Sequence, residues 1–489
     1  MVKKACVVGA GIGGIATALR LNKAGWHVTV FEANQQPGGK INEFYRDGFR
    51  FDTGPSLFTL PQMVDELFSL YETKAENVFA YHKLENITRY FFEDGTIINA
   101  KQNPGDFALE IEEQTAEPGL NVIRYLHQAK KLYALTANTF IFRPFSLSGV
   151  FKKDFVKAGI NFKKLKALKT MHQVNELHFK DSRVIRIFDR YATYNGSNPY
   201  QTPGTLSVIS HLEHNIGAYF PKQGMYQIVQ SLVDFSKQNG IDFSLNDRVE
   251  EIITDHHRVT GLKAASGHYP CDVVISNADV FHTYDKLLKG KDIPKRLLRQ
   301  QRSSSALIFY WGINDTHQHL DMHNILFSEN YQKEFDHLFQ LKNIYDDPTV
   351  YIFISSKVVE SDAPAGKENW FVMVNAPANY QQDWEQIISK TRKHIIKKIN
   401  RMLKLDIESK IEFEEILDPR KLEEKTTSFQ GALYGNSSNS RYSAFQRQPN
   451  KSSIKGLYFA GGSVHPGGGI PLCLASAAIT SKAILKQKQ

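Results

Sequence analysis

The sequence predicts an α/β fold, and three features support this expectation. A strand, a glycine-rich turn and a helix follow one another at the N-terminus from Ala5, and the same order recurs near the C-terminus from Gly456. Between these two units, stretches such as 303–312 and 350–355 alternate as strands do. Strands that alternate with helices favour parallel sheets, so we expect Rossmann-like units at the two ends and an α+β region between them.

The N-terminal unit is complete as a βαβ element. Ala5–Val8 is a short apolar strand, residues 15–24 form a helix rich in Ala and Leu, and residues 27–31 form a second strand. Gly25 stands where a helix C-cap glycine belongs. This order of strand, glycine turn, helix and strand is the one that a dinucleotide-binding fingerprint requires.

Three glycines and one acid of this unit are candidate cofactor-binding residues. Gly9 permits the tight turn, Gly11 lets the backbone approach a pyrophosphate, and Gly14 lets the helix pack closely on the strand. The helix N-terminus offers N–H groups to the phosphates. Glu32 follows Gly14 by 18 positions, where its carboxylate can accept hydrogen bonds from both ribose hydroxyls. An acid there favours an unphosphorylated ribose over NADP.

Composition is that of an ordinary globular protein. The 489 residues are 42% hydrophobic and 23% charged, and a chain of this length usually divides into two or three domains. The net charge of +9 favours an anionic partner, namely nucleic acid, acidic lipid or a phosphorylated cofactor, without selecting one. Cys6, Cys271 and Cys473 match no metal spacing, so we expect buried, inert thiols in a reducing compartment and no metal site.

The segments after the N-terminal unit resemble a known superfamily. Pro37-Gly38-Gly39-Lys40 and Phe51-Asp52-Thr53-Gly54-Pro55-Ser56 are similar to motifs of the FAD-dependent amine oxidase and phytoene desaturase superfamily. The resemblance implies FAD as the resident cofactor. Many relatives carry Arg at the position of Lys40. The Lys of this chain keeps the charge of that Arg but loses its bidentate hydrogen-bonding geometry. The implied cofactor-binding residues are Gly39, Lys40, Gly54, Pro55, Ser56 and Val249, the last through its backbone at the adenine.

The same resemblance implies an interleaved domain organisation. Residues 1–60, 222–290 and 450–489 would form the FAD-binding domain, because "FPKQGMYQIVQSL" and "DVVISNAD" match segments that return to it. Residues 61–221 and 291–449 would form the substrate-binding domain, with a helical membrane-associating part at about 100–185.

The C-terminal unit carries the second glycine-rich turn. Gly456–Gly462 is a strand that runs into glycines, and an Ala/Ser-rich helix begins near Leu474. Such a turn presents backbone N–H groups to the pyrophosphate or to the edge of the flavin ring. We therefore expect cofactor contacts from Gly462, Gly469, Ile470 and Pro471.

Several longer strings narrow the family. The segments "HNILFSENYQKEF", "DAPAGKENWFVMVNAPA" and "VHPGGGIP" look like the bacterial-type carotenoid desaturases. The segment "GALYGNSSNSRYSAFQRQPN" is most similar to the branch of 1-hydroxycarotenoid 3,4-desaturases, although Val464 replaces the Thr usual in phytoene desaturases. The resemblance implies an FAD-dependent oxidoreductase of CH–CH groups, which introduces a C=C bond into an acyclic, 1-hydroxylated carotenoid in carotenoid biosynthesis.

A basic and apolar segment, 145–171, suits a membrane surface. It carries lysines at Lys152, Lys153, Lys157, Lys163, Lys164, Lys166 and Lys169 among large apolar residues. The alternative is a core helix with a solvated lysine face. No apolar run reaches the roughly 18 residues that span a bilayer, and no segment resembles a nucleic-acid module. We expect a cytoplasmic protein at the inner face of the cell membrane that binds no nucleic acid.

Two residues are candidates for catalysis. Glu213, flanked by His211 and His214, could place a polar group near the flavin, and His465 could orient substrate or steady flavin charge. For each, a purely structural role is the competing interpretation. The flavin would take the electrons and pass them to a quinone or to oxygen. The sequence leaves open which bond is oxidised and how many steps occur.

Other functions fit the same motifs. A phytoene desaturase or a carotene isomerase would share the fold, and the isomerase would leave the product mass unchanged. An oxidase of amines or porphyrin precursors would release peroxide. The non-enzymatic alternative is a prenyl-binding chaperone of the GDP-dissociation-inhibitor type, which does not need an intact FAD site.

Overall fold

The structure is a computed structural model that describes residues 2–136, 168–290, 292–440 and 443–486. Most of the predicted membrane segment 145–171 lies outside these residues, which include only 168–171 of it. The α/β fold class is observed. Its sheets are built from strands that lie far apart in sequence.

A five-stranded parallel sheet forms the base of the fold. Its strands, in spatial order, are Asp242–Ser244, His27–Phe31, Lys4–Val8, Val273–Ser276 and Leu457–Phe459. Both glycine turns thus leave the same edge of the sheet, because parallel strands end on one side, and the strand Val273–Ser276 lies between the two strands that they follow. Residues of all three segments predicted for the FAD domain share this sheet. The proposed domain limits themselves stay a prediction.

Two helices cover this sheet close to its centre. Ile12–Lys23 and Ile470–Leu485 pack against each other, and Ala and Gly on the first helix are fully buried. Gly25 follows the first helix at φ +84°, as expected for a residue that ends a helix in the left-handed region. The small residues allow the close approach of helix and sheet that the sequence predicts.

A seven-stranded sheet forms the second layer. Its strands, in spatial order, are Ile411–Leu417, Ser305–Ile313, Glu368–Ala376, Val350–Ile354, His323–Leu326, Asn86–Phe91 and Ile97–Lys101. Alternate residues of Ser305–Ile313 enter two different cores: Ile308 and Tyr310 face the main core, whereas Phe309 and Trp311 pack towards helix Trp384–Leu403. A fully buried strand of this kind reads as a continuous apolar run.

Smaller elements connect the two layers. Val249–Asp255, Arg258–Ala264 and Gly267–Pro270 form an antiparallel sheet, Glu43–Arg46 pairs with Phe49–Asp52, and Phe58–Thr59, Ala218–Pro221 and Tyr81–Lys83 form a third small sheet. The remaining helices of eight or more residues in the described chain are Gln62–Ser69, Pro104–Gln114, Gly119–Thr136, Met171–His178, Ser182–Asp189, Gln227–Gln238 and Pro419–Thr426.

A buried ion cluster joins the base to the second layer. The guanidinium of Arg50 pairs with Glu43 at 2.6 Å, with Asp52 at 2.8 Å and with Asp362 at 3.1 Å. Asp52 also accepts hydrogen bonds from the backbone N–H groups of Met225 and Tyr226, ahead of helix Gln227–Gln238. This cluster fixes the loop of residues 53–56, which follows Asp52.

Two further expectations concern cysteines and membrane spans. Cys6 is buried, but Cys271 and Cys473 are only half-buried, so the expectation of three fully buried thiols is wrong for two of them. Within the described ranges, the helices are all too short or too polar to cross a bilayer.

Candidate functional site

A cleft opens at the edge of the five-stranded sheet where the first glycine turn lies. Its walls bring together five of the residues predicted to bind the cofactor: Gly9, Gly11, Glu32, Gly39 and Val249. Arg248, Asn277 and His282 join them, and none of these three was selected from the sequence. Residues 424–427, at the C-terminal end of helix Pro419–Thr426, also line the cleft.

Glu32 lies at the end of its strand with its carboxylate in the cleft. One carboxylate oxygen accepts a hydrogen bond of 2.8 Å from the N–H of Ala10 in the glycine turn, and the other accepts bonds from the backbone and side chain of Asn34. Only 6% of Glu32 is exposed. The acid is therefore held in place by the turn itself, and remaining lone pairs are available to hydroxyl groups.

Backbone approaches backbone closely beneath this cleft. A Cβ on Gly39 would lie 3.6 Å from the Cα of Gly11, and the N–H of Gly38 donates to the carbonyl of Ala10 at 2.8 Å. A Cβ on Gly14 would lie 2.4 Å from the carbonyl oxygen of Gly9. The close packing around Gly14 thus leaves no room for a side chain, as predicted. Gly39 lies directly on the first turn.

Asn277 lies between the two glycine turns. Its Nδ2 donates a hydrogen bond of 2.7 Å to the carbonyl of Ala460. A Cβ on Gly11 would approach its Oδ1 to 2.5 Å, and a Cβ on Gly461 would approach its Nδ2 to 2.4 Å. The turns also contact each other, since a Cβ on Gly13 would lie 3.0 Å from the Cα of Gly461. The motif "DVVISNAD" contains this Asn, so its position after a strand was the available signal.

The second turn leads into helix Ile470–Leu485. Gly469 precedes the helix at φ +99° with open space around its missing Cβ, so backbone conformation rather than crowding calls for glycine there. Ile470 is buried, and Pro471 lies in the first helical turn. A Cβ placed on Gly462 would lie 3.7 Å from the Sγ of Cys473. In the described chain no side chain caps this helix, which leaves its N-terminal N–H groups for a ligand.

Lys40 points away from the first cleft. Its Nζ donates to the carbonyl oxygens of Ala432 at 3.1 Å and Leu433 at 2.6 Å. Burial lowers the pKa of this amine, and Asp279 partly offsets the effect. Gly54 lies against the backbone of Lys40, since a Cβ on Gly54 would be 1.9 Å from the carbonyl oxygen of Lys40. Lys40 and Gly54 are thus brought together, outside the cleft that contains Glu32.

Pro55 and Ser56 are half-buried and continue towards the seven-stranded sheet. The hydroxyl of Ser56 shares a hydrogen bond of 2.5 Å with the hydroxyl of Tyr351. The ring nitrogens of His323 lie 3.1 Å from the carbonyl oxygen of Ser56 and 2.9 Å from that of Ile87. The predicted cofactor loop is therefore attached to two strands of the second layer.

Glu213 lies in a buried cage of aromatic and basic side chains. Its carboxylate accepts hydrogen bonds from Arg190 at 3.0 Å, from the hydroxyl of Tyr191 at 2.8 Å and from the hydroxyl of Tyr194. The guanidinium of Arg190 lies over the rings of Tyr90, Tyr191 and Tyr194. Burial opposes ionisation, but Arg190, His214 and the two hydroxyls outweigh it and lower the pKa of Glu213.

His214 extends this cage by one hydrogen bond. Its Nε2 lies 2.8 Å from the hydroxyl of Tyr191, and its ring stacks on Phe107 at 4.6 Å. Nδ1 has no hydrogen-bond partner among the described residues, and burial lowers the pKa of His214 to about 4.

His465 lies inside the second turn and is 7% exposed. Its backbone N–H donates to the carbonyl of Gln448, and its own carbonyl accepts from Asn450. The peptide bond to Pro466 is cis. The structure therefore places His465 and Glu213 in separate surroundings, one in the glycine turn and the other in the tyrosine cage. Their catalytic roles stay predictions.

The residues present fit a dinucleotide with a flavin. Glu32 and Val249 line the same cleft, which suits an adenosine, and the uncapped N-terminus of helix Ile12–Lys23 suits a pyrophosphate. The contact between the two turns leaves the second helix N-terminus beside the first. The described residues contain no cluster of ligands for a metal ion.

Comparison with known proteins agrees with this geometry. A family model described as flavin containing amine oxidoreductase matches residues 12–485. A 1-hydroxycarotenoid 3,4-desaturase from Flavobacterium sp. is 45% identical over 485 residues, which are 99% of this chain and 99% of the relative. A phytoene desaturase from Fusarium fujikuroi is 31% identical and covers 99% of this chain and 89% of its own length.

A solved structure shows the same fold. Cyclohexylamine oxidase from Brevibacterium oxydans superposes with a TM-score of 0.61 at 13% identity, over 100% of both chains. At this identity the likeness concerns the fold alone.

Proposed function

Because the chain belongs to the family of flavin-containing amine oxidoreductases, we propose that it is an FAD-dependent desaturase that introduces a C=C bond into an acyclic, 1-hydroxylated carotenoid. The observation that carries this proposal is the 45% identity to a 1-hydroxycarotenoid 3,4-desaturase over 99% of both chains. The similarity to a phytoene desaturase supports the broader substrate class.

Some of these residues would hold the cofactor, and others would position the loop beside it. Bound FAD would accept a hydride, which carries two electrons and one of the two hydrogens that leave the substrate, and the other hydrogen would leave as a proton to water. Glu32 and the first turn hold the adenosine and pyrophosphate, and Ser56, tied to Tyr351 and His323, fixes the loop between cofactor and second layer. A fixed loop of this kind matters because positioning supplies several kcal/mol of such a barrier.

Glu213 acts in this proposal as a fixed negative charge. Three hydrogen-bond donors hold its carboxylate, and its pKa lies below the ordinary value. An acid that stays ionised is a weak proton acceptor but stabilises a nearby positive charge. The nearby positive charge is that of Arg190, at 3.0 Å, so we propose that Glu213 holds Arg190 and the tyrosine hydroxyls in place. His465, in the second turn, is proposed to orient the substrate.

We also propose peripheral attachment to a membrane, because a carotenoid does not diffuse through water. Support comes from exposed apolar side chains of the packed hairpin of helices Pro104–Gln114 and Gly119–Thr136, namely Leu109, Leu120 and Ile123. Leu168 and Leu177 are exposed as well, at the end of the lysine-rich segment and just beyond it. Interfacial binding combines such apolar surface with basic residues.

Vesicle binding tests the attachment. We expect the protein to sediment with vesicles containing anionic lipid, and the double variant Leu109→Glu/Leu120→Glu to remain in the supernatant. A matched double variant of exposed polar residues that keeps their charge, Glu112→Asp/Glu113→Asp, should bind like the wild type. Equal binding of the Leu variant would count against this surface.

We also propose that a quinone or oxygen reoxidises the reduced flavin.

Pigment analysis tests the desaturase proposal. The chain is expressed in a host that makes acyclic 1-hydroxycarotenoids, with the variant Gly14→Val as the control that cannot form the first turn. We expect a product lighter by two hydrogens with absorption at longer wavelength. An unchanged mass would indicate a carotene isomerase, and turnover of phytoene alone would indicate a phytoene desaturase. Peroxide release with amines or porphyrin precursors, or a colourless protein, would contradict the proposal.

A further inference from the structure

Within the described part of the chain, Arg447 is a buried cation without an acidic partner. It is 6% exposed, and its guanidinium donates to the carbonyl oxygens of Tyr434 at 3.1 Å, Asn436 at 2.7 Å and Gly462 at 3.4 Å. Among the described residues no carboxylate forms an ion pair with it. Burial lowers the pKa of Arg447 to about 10. A buried charge without an ionic partner raises the free energy of the folded protein unless another charged group compensates it.

Two more cations donate hydrogen bonds to the same segment, residues 432–436. Lys40 donates to the carbonyls of Ala432 and Leu433, and Arg302 donates to Oδ1 of Asn436 at 2.6 Å and to the carbonyl of Leu297. Burial lowers the pKa values of Lys40 and Arg302 too. We call Lys40, Arg302 and Arg447 the cation cluster.

Charge in this region is unbalanced. Asp279 interacts electrostatically with Lys40 and Arg302, but no acid of the described chain acts on Arg447. Three cations therefore face one carboxylate. Proteins compensate such an excess by binding an anion, so the imbalance indicates a ligand group with negative charge.

The cation cluster lies at the second turn, away from Glu32. Arg447 contacts Gly462, and the thiol of Cys473 in the first turn of helix Ile470–Leu485 interacts with both Lys40 and Arg447. The helix N-terminus adds its own positive potential at this place. Glu32 and the cation cluster thus lie in different places, the acid in the cleft at the first turn and the cations at the second turn.

We propose that Arg447 and Lys40 stabilise the negative charge that the flavin ring acquires on reduction, and that they thereby raise its midpoint potential. Arg447 acts through its charge and by holding the backbone of Gly462, since its guanidinium is occupied by carbonyl oxygens. The proposal rests on the flavin of the family and not on the carotenoid substrate. A neutral oxidised ring gains little from the cations, whereas a reduced ring gains more, which favours reduction.

Potentiometry of the FAD-loaded protein tests this proposal. We compare the wild type with Arg447→Met, Arg447→Lys and Lys40→Met, and use Lys455→Met as a control that removes one exposed positive charge. In Arg447→Met we expect reduced flavin to bind at least tenfold more weakly relative to oxidised flavin. This change corresponds to a potential lower by about 30 mV for a two-electron couple. Lys40→Met should shift in the same direction, and Arg447→Lys should keep most of the wild-type potential.

Several results would overturn the proposal. A wild-type potential in FAD-loaded Arg447→Met would do so, as would an equal shift in Lys455→Met. If Arg447→Met does not fold, an unchanged potential in Lys40→Met contradicts the proposal and a lowered one supports it. A protein with the expected shifts but no activity on carotenoids would leave this inference intact and count only against the desaturase proposal.

Discussion

The side-chain amide of Asn277 donates a hydrogen bond of 2.7 Å to the carbonyl of Ala460, and this bond joins the two ends of the chain. Asn277 follows the strand Val273–Ser276, whose neighbours in the sheet are Lys4–Val8 and Leu457–Phe459. Because the amide also lies against Gly11, Gly13 and Gly461, one side chain sets the distance between both turns.

Replacing Asn277 should weaken cofactor binding in a graded way. Asn277→Ala removes the hydrogen bond, and we expect a loss of about 1 kcal/mol in the free energy of unfolding. Asn277→Asp keeps the shape but turns an oxygen towards the carbonyl of Ala460 and adds negative charge beside the pyrophosphate site. The Asp variant should therefore bind FAD at least about tenfold more weakly than the Ala variant, as flavin fluorescence would measure. Equal affinities would contradict the role of the amide.

Gly11 and Asn277 should behave as a coupled pair. In Gly11→Ala, the new methyl group meets Oδ1 of Asn277 at 2.5 Å, so we expect overlap and a loss of FAD affinity. Removing the Asn side chain creates room for this methyl group. The double variant Gly11→Ala/Asn277→Ala should therefore recover part of the affinity, with a coupling of about 1 kcal/mol or more. Strict additivity of the two losses would show that the contact does not matter.

Glu32 should be sensitive to the loss of one oxygen. Its two carboxylate oxygens accept from Ala10 and Asn34, and Glu32→Gln would turn an NH₂ group towards one of these donors. A buried donor without a partner costs about 1–3 kcal/mol. We expect FAD affinity to fall about tenfold or more, while the exposed-site control Glu113→Gln binds FAD like the wild type. Titration of the apoprotein with FAD measures both.

His214 should make stability depend on pH below neutrality. Burial lowers its pKa to about 4 in the folded state, whereas the unfolded chain has about 6.5. The stabilising contribution is therefore complete above pH 6.5 and is lost as pH falls towards 4, because the unfolded state takes up the proton first. The loss between pH 6.5 and 5 is about 2 kcal/mol.

The matched variant for this prediction is His214→Gln, which cannot titrate. Denaturant unfolding should show a shallower decline with falling pH in the variant than in the wild type. Identical declines would mean that His214 does not carry this dependence.

Local patterns were sufficient for much of the fold. The α/β class, the family and its flavin cofactor are confirmed, since the βαβ unit depends on residues close together in sequence. Gly9, Gly11, Glu32 and Gly39 lie in one cleft for the same reason. The position of Val249 in that cleft followed only from the resemblance, because its strand lies more than 200 residues away.

The contacts that could not be predicted from the sequence depend on packing between distant segments. Asn277 and Arg447 are ordinary polar residues in their own segments, and only the folded chain brings them to the second turn. The partners of Glu213 are likewise distributed, since Arg190 donates to Tyr90, which lies in the strand Asn86–Phe91 about 100 residues earlier. Composition and spacing carry no record of such contacts, so the cage and the cation cluster were not predictable.

The most direct test of the account is an anaerobic single-turnover experiment with FAD-loaded protein and an acyclic 1-hydroxycarotenoid in vesicles. The account predicts that the visible absorbance of the flavin bleaches while the carotenoid loses two hydrogens, in equal amounts. A flavin that stays oxidised while the carotenoid is unchanged, or a carotenoid product of unchanged mass, would contradict it.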